Sequence, residues 1–190
     1  WEDPQSRLME ARAMRLVEEL RRNVQPGEYE AAFPFKMTPL PFQMTTFAAA
    51  RHMTNIALAP AAMGTGKTKM TLDIAADKFL RDEIDCMLVI APNGVHRQWV
   101  EAAIPQHLAA SVKRAAAVWK PTRKTPPAVK AANARATLRI LTFNVESFSS
   151  ESGKAFKAAL EFLASGRCML VVDESSRIKT PRAARTKAIL

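Results

Sequence analysis

A chain of 190 residues is long enough for one domain with a full core and too short for two large ones. A hydrophobic fraction of 48% excludes wholesale disorder. The formal net charge of +10 marks either an anionic partner, most often nucleic acid, or a basic surface kept for solubility.

The two cysteines, Cys86 and Cys168, each sit beside an apolar run and have no neighbour at metal-ligand spacing, so they read as buried free thiols in a reducing compartment. His52, His96 and His107 are scattered, with no carboxylate or thiol set around them, which argues against a zinc-type site. No apolar stretch approaches the roughly 20 residues that span a bilayer. The charged, amphipathic start does not resemble a leader, so the expected location is the cytoplasm, or the nucleus in a eukaryote. The chain opens at Trp1 and stops at Ala188-Ile189-Leu190 inside an apparently helical stretch, as expected of a piece of something longer.

In chain order, residues 6–22 repeat Leu8, Met9, Val17 and Leu20 among Arg and Glu, which predicts a surface helix closed by Pro26-Gly27. Pro34, Pro39 and Pro41 keep the next stretch extended or turning, so residues 1–34 form a lead-in to a domain over 35–190. Residues 42–53 return to a helical pattern. Ile56-Ala57-Leu58-Ala59 is a short apolar run, followed by a glycine turn at 63–66 and a helix over 67–80. A second apolar run, 86–91, ends at Pro92-Asn93-Gly94 and leads into a helix carrying Val95, Trp99 and Ile104. Further runs at 115–119, 138–143 and 168–172 follow, with a helix over 153–164 before the last. Short apolar strands alternating with helices predict an α/β fold: a mostly parallel sheet covered by helices on both faces. Right-handed crossovers then gather the strand ends on one edge, where such sheets bind ligands.

Ala61-Ala62-Met63-Gly64-Thr65-Gly66-Lys67-Thr68 fits the P-loop pattern, with alanine in the first position where glycine is commoner. Gly64 and Gly66 let the backbone curl so that N–H groups, including those of Met63 and Thr65, turn toward phosphate oxygens. The helix starting near Lys67 offers its positive end to the same anion. Lys67 is placed to reach the β- and γ-phosphates of ATP, and the Thr68 hydroxyl to ligate magnesium. The competing reading is a plain glycine turn capping a helix. At the other end, Val171-Val172-Asp173-Glu174 has the form of a Walker B strand. Asp173 would hold magnesium through water, and Glu174 would orient and deprotonate the attacking water. Two acids after an apolar strand are common in solvated strand ends, and the upstream P-loop is what gives them meaning.

Asp173-Glu174-Ser175-Ser176-Arg177-Ile178-Lys179 resembles the Asp-Glu box of superfamily-two helicases, and the trailing Ile-Lys resembles the Swi/Snf branch. Ala91-Pro92-Asn93-Gly94-Val95-His96-Arg97-Gln98-Trp99-Val100-Glu101 is similar to that branch's second motif. Pro41-Phe42-Gln43 resembles the segment whose glutamine recognises adenine, and Leu141-Thr142-Phe143-Asn144 the motif that holds a DNA backbone. The resemblance runs from about residue 35 onward and implies a RecA-like first motor lobe of a DNA translocase, of phage or bacterial type, truncated after the Walker B motif. It also implies a missing second lobe with an arginine finger, so that this piece would bind nucleotide and hydrolyse it poorly. Ser175-Ser176 departs from the family's alanine followed by histidine or aspartate.

Residues 102–145 hold no acid, while Lys113, Arg114, Lys120, Arg123, Lys124, Lys130, Arg135 and Arg139 fall within them. Arg123 and Lys124, together with Pro92, Asn93, Gly94, Arg97, Thr142 and Asn144 at the strand ends, are the candidate nucleic-acid contacts. The competing reading is a solvated face. Arg177, Lys179, Arg182, Arg185 and Lys187 form a second unbalanced set, for DNA or for the missing lobe. Trp99 reads as a core anchor rather than a base-stacking platform, and Trp119 as core. Three functions are compatible with these residues. The first is an ATP-driven motor moving along duplex DNA. The second is a nucleic-acid-binding module using ATP as a switch without efficient hydrolysis, supported by Ser176. The third is a small-molecule kinase, which leaves Gln98-Trp99 unexplained and would want a substrate lid.

Overall fold

The structure, a computed structural model, describes residues 33–51, 53–54, 64–130, 136–148 and 153–173. The helix expected over 6–22, the apolar run at 56–59, Met63, Arg135 and the stretch from Glu174 onward lie outside the described residues.

Four strands form the described sheet: β1 Cys86–Ala91, β2 Arg114–Val118, β3 Leu138–Asn144 and β4 Cys168–Val172. Their spatial order is β2-β3-β1-β4, and every neighbouring pair is parallel. All six residues of β1 are buried, as a strand covered on both faces requires. Its side chains alternate between two cores. Met87, Val89 and Ala91 pack on one face, Cys86, Leu88 and Ile90 on the other. The α/β reading of the sequence therefore holds.

The first face is covered by helices α1 (Pro41–Ala50), α2 (Lys67–Leu80) and the helical stretch α3. α3 comprises Val95–Gln98, a π turn Trp99–Ala103 and Ile104–His107. Its widened middle has a cause in the sequence. Pro105 has no N–H to bond Glu101, and its ring would press on that residue's carbonyl in a regular helix. The wider turn instead bonds the Ile104 N–H to the Trp99 carbonyl. The second face is covered by α4 (Pro127–Lys130) and α5 (Lys154–Leu163), through Val129, Ala155, Ala159 and Phe162. Each large apolar side chain buried this way contributes about 1.5–3 kcal/mol. Cys86 is buried and Cys168 half-buried; both are free and lie opposite each other in the β1–β4 register.

Charged groups pin the helices. Asp77 of α2 is buried and accepts from Arg51 at 2.8 Å and from Arg81 at 2.9 Å, joining α2 to the end of α1. Lys69 and Asp73, one helical turn apart and both buried, meet at 2.6 Å. Burial is the stronger influence on Asp73 and pushes its carboxyl up to about 6, against the opposing pull of Lys69.

Arg139 corrects the sequence reading of the basic segment. It is 1% exposed, donates to the Ser165 hydroxyl at 2.8 Å and carbonyl at 3.0 Å, and lies over the Phe162 ring. It belongs to the core and not to the basic face, because β3 is covered on both faces and its side chain meets α5, whereas Lys113 and Arg114 at the start of β2 remain exposed.

Candidate nucleotide and nucleic-acid site

α2 leads through a short loop to the start of β1, so a helix of 14 residues carries its own beginning back toward the carboxyl edge of the sheet. Gly66 is its N-cap, at φ +79, and Gly64 stands at φ +80. Both values lie in the left-handed region that a side chain disfavours. Gly66 has no side chain with which to cap the helix, and the first turn contains no acid. The helix's own first turn therefore offers its amides no side-chain anion, the arrangement in which a helix end accepts phosphate. Lys67 and Thr68 begin the helix and are half-buried.

Gln43 ties this loop to α1. It is buried, its Oε1 accepts from the Leu40 N–H at 3.0 Å, and its Nε2 donates to the Thr65 carbonyl at 3.0 Å. The first bond caps α1, which Pro41 starts at a fixed φ. The second fixes the loop from outside. A Cβ on Gly66 would lie 2.6 Å from Gln43 Nε2, so glycine is required here by packing as well as by φ. The sequence placed Gln43 at the adenine. Both polar atoms of its amide already hold one protein partner each, leaving one Nε2 hydrogen and one Oε1 lone pair for a purine.

Asp173 follows the last residue of β4. Its N–H donates to the Ile90 carbonyl of β1 at 2.8 Å, which continues the ladder by one residue. Its Oδ2 accepts from the Trp99 indole Nε1–H at 2.9 Å. Trp99 is 2% exposed and belongs to the first core, as expected of an anchor. Its hydrogen bond to Asp173 was not legible from spacing; only the general rule that a buried indole N–H finds a partner pointed that way. Glu174, expected to activate water, lies outside the described residues.

The same edge carries the candidate DNA contacts. β1 ends in Pro92-Asn93-Gly94, where Gly94 at φ +85 caps α3, and Asn93, Gly94 and Arg97 are exposed. β2 ends in a turn closed by a bridge between Lys120 and Arg123, with Arg123 and Lys124 exposed. These groups meet around two adjoining cavities. One of about 300 Å³ is lined by Arg97, Glu101, Lys120, Arg123 and Lys124. The other, about 290 Å³, is lined by Asn93, Arg97, Trp119, Lys120 and Asn144. Trp119 is half-buried and stacks on Phe143, rings 5.3 Å apart.

Two expected contacts, Thr142 and Pro92, are placed differently, and a third, Asn144, lines the second cavity with one polar atom already engaged. Thr142 is 0% exposed, lies in register between Val89 and Val118, and has no hydrogen-bond partner for its hydroxyl, so its side chain does not reach this surface. Pro92 is buried; its carbonyl accepts from the His96 N–H at 3.1 Å and faces His96 Nδ1 at 3.3 Å. Burial lowers the pKa of that imidazole from its ordinary value, which suits a neutral ring donating from Nδ1. Asn144 uses its Oδ1 to cap the turn Val145–Ser147, accepting from the Glu146 N–H at 2.8 Å.

No protein-family model and no curated protein sequence matches the chain. Among solved structures it is similar to a Sulfolobus solfataricus SWI2/SNF2 ATPase core in complex with dsDNA, with a TM-score of 0.53 and 19% identity. The match covers 87% of this chain and 37% of the other, so the chain spans little more than a third of that protein's length. At this identity the likeness shows the fold, a RecA-like α/β lobe.

Proposed function

We propose that the chain is the ATP-binding first lobe of a Swi/Snf-type motor, coupling ATP hydrolysis to movement along duplex DNA when a second lobe is present. One observation carries this reading. A loop with two left-handed glycines opens α2 at the sheet edge where β4 delivers Asp173 and where the exposed cations of the β1 and β2 ends gather. An anion site, an acid for a cation and a basic track on one edge are the parts a nucleotide-driven nucleic-acid motor needs. Loop amides and Lys67 hold the phosphates, Gln43 braces the loop, and Thr68 with Asp173 fits a hard divalent cation. Bound magnesium would offset charge between the β- and γ-phosphates. Glu174 takes the proton from the attacking water.

The solved neighbour's description as a SWI2/SNF2 core with dsDNA supports this choice over a small-molecule kinase. The switch reading without efficient hydrolysis keeps one support, Ser175-Ser176 in the Asp-Glu box. We take the protein to act in the cytoplasm of a bacterial or phage-infected cell, or in the nucleus of a eukaryote. Calorimetry with ATP and magnesium tests the nucleotide site. Lys67→Ala should lose most of the affinity, because it removes the loop's own cation from the phosphates. Equal binding by Lys67→Ala and the unaltered chain would overturn the assignment.

A further inference from the structure

The bond between Trp99 and Asp173 joins two regions that lie 74 positions apart in sequence. Asp173 has two tethers: its N–H to the Ile90 carbonyl of β1, and its carboxylate to the indole. The first fixes only the backbone. The second decides where the carboxylate points, and it comes from α3. Trp99 opens the π turn of α3 and is buried, whereas Arg97, two residues earlier and so on the opposite side of the helix, is exposed in the basic cavities. The turn is held open by Pro105, so the helix cannot tighten into a regular one. The wider loop of a π turn sits where such turns recur, at a functional site. Arg97 in the basic cavities and the Asp173 carboxylate are thus connected through one element, α3, and one rigid ring.

We propose that Trp99 is a positioning residue: its indole N–H orients the Asp173 carboxylate and links the magnesium–nucleotide site to the DNA-facing side of α3. This rests on the nucleotide-site reading above. Linkage of this kind is reciprocal, so magnesium–nucleotide must alter duplex affinity by the factor that duplex alters nucleotide affinity.

Trp99→Phe keeps an aromatic ring in the core and removes the N–H. Three measurements on the chain separate the outcomes: a thermal melt, a fluorescent-nucleotide titration at several magnesium concentrations, and duplex binding with and without a non-hydrolysable magnesium–nucleotide. The variant is expected to melt cooperatively and to bind nucleotide without magnesium like the unaltered chain. It should need about tenfold more magnesium for the same effect, the loss expected of one hydrogen bond to a charged group. Its duplex affinity should no longer respond to magnesium–nucleotide. A merely structural tryptophan would lower the melt and leave the magnesium dependence and the linkage intact, and that result overturns the inference while the nucleotide site stands. An unaltered chain that binds no nucleotide overturns both. If the variant does not fold, the Trp99 indole ¹⁵N–H resonance of the unaltered chain decides: it should shift when magnesium joins bound nucleotide, and an unmoved resonance overturns the proposal.

Discussion

Gly64 and Gly66 share a left-handed φ, +80 and +79, but not their surroundings, and the difference yields a quantitative test. Alanine at either position costs about 1–2 kcal/mol in backbone strain. At 64 the added Cβ meets nothing within 4 Å, whereas at 66 it falls 2.6 Å from Gln43 Nε2. Gln43 is buried and cannot withdraw without releasing the Thr65 carbonyl and the Leu40 N–H, each bonded at 3.0 Å. Each bond contributes about 0.5–1.5 kcal/mol. Gly66→Ala should therefore exceed Gly64→Ala by about 1–3 kcal/mol. If the loop keeps its shape, the excess appears as lost stability in urea denaturation. If the loop unwinds instead, it appears as a further fall in nucleotide affinity of about five- to 140-fold. Gln43→Ala removes the colliding atom, so the Gln43→Ala/Gly66→Ala pair should be non-additive by a similar amount. Equal losses at the two glycines, or strict additivity in the cycle, would refute the clamp.

Reversing Arg123 and Lys124 to glutamate should weaken binding to duplexes of every sequence alike and flatten its salt dependence, since phosphate contacts carry no base information. Gel-shift titrations at several salt concentrations on two unrelated duplexes measure this, and an unchanged slope returns the basic turn to a solvated face. In a protein that carries both lobes, Glu174→Gln should bind ATP and turn it over far more slowly, because an amide cannot accept the water's proton. Unaltered DNA-stimulated turnover would remove Glu174 from the base role. Asp73 should titrate near pH 6 in carboxyl ¹³C spectra, raised by burial. Its folded value lies above its unfolded one, so its contribution to stability is complete below about pH 4 and is lost as pH rises through about 6. A midpoint at or below 4 would mean that the Lys69 pair, not burial, governs it.

The sheet was legible because its information is local. Strands covered on both faces read as near-continuous apolar runs, and 86–91 and 138–143, the latter interrupted by Arg139 and Thr142, sit within one residue of β1 and β3; 168–172 matches β4, which stays partly exposed. The turn at Gly64–Gly66 was legible for a related reason: a left-handed φ at two nearby positions demands glycine wherever the rest of the chain goes. What spacing alone does not carry is the direction in which a long polar side chain turns once the core closes. Arg139 reads in the sequence as a surface cation, but the helix that covers the second face of β3 brings Ser165 and Phe162 onto it. Thr142, at a strand end by pattern, is sealed between β1 and β2, while Arg123 and Lys124 on the turn after β2 stay in water. In the sequence Gln43 and Trp99 each carry one expectation, adenine contact and core. Tertiary contact gave each a polar partner 22 and 74 residues away. A buried amide or indole must satisfy its N–H, and only the packed fold determines which acceptor stands within reach.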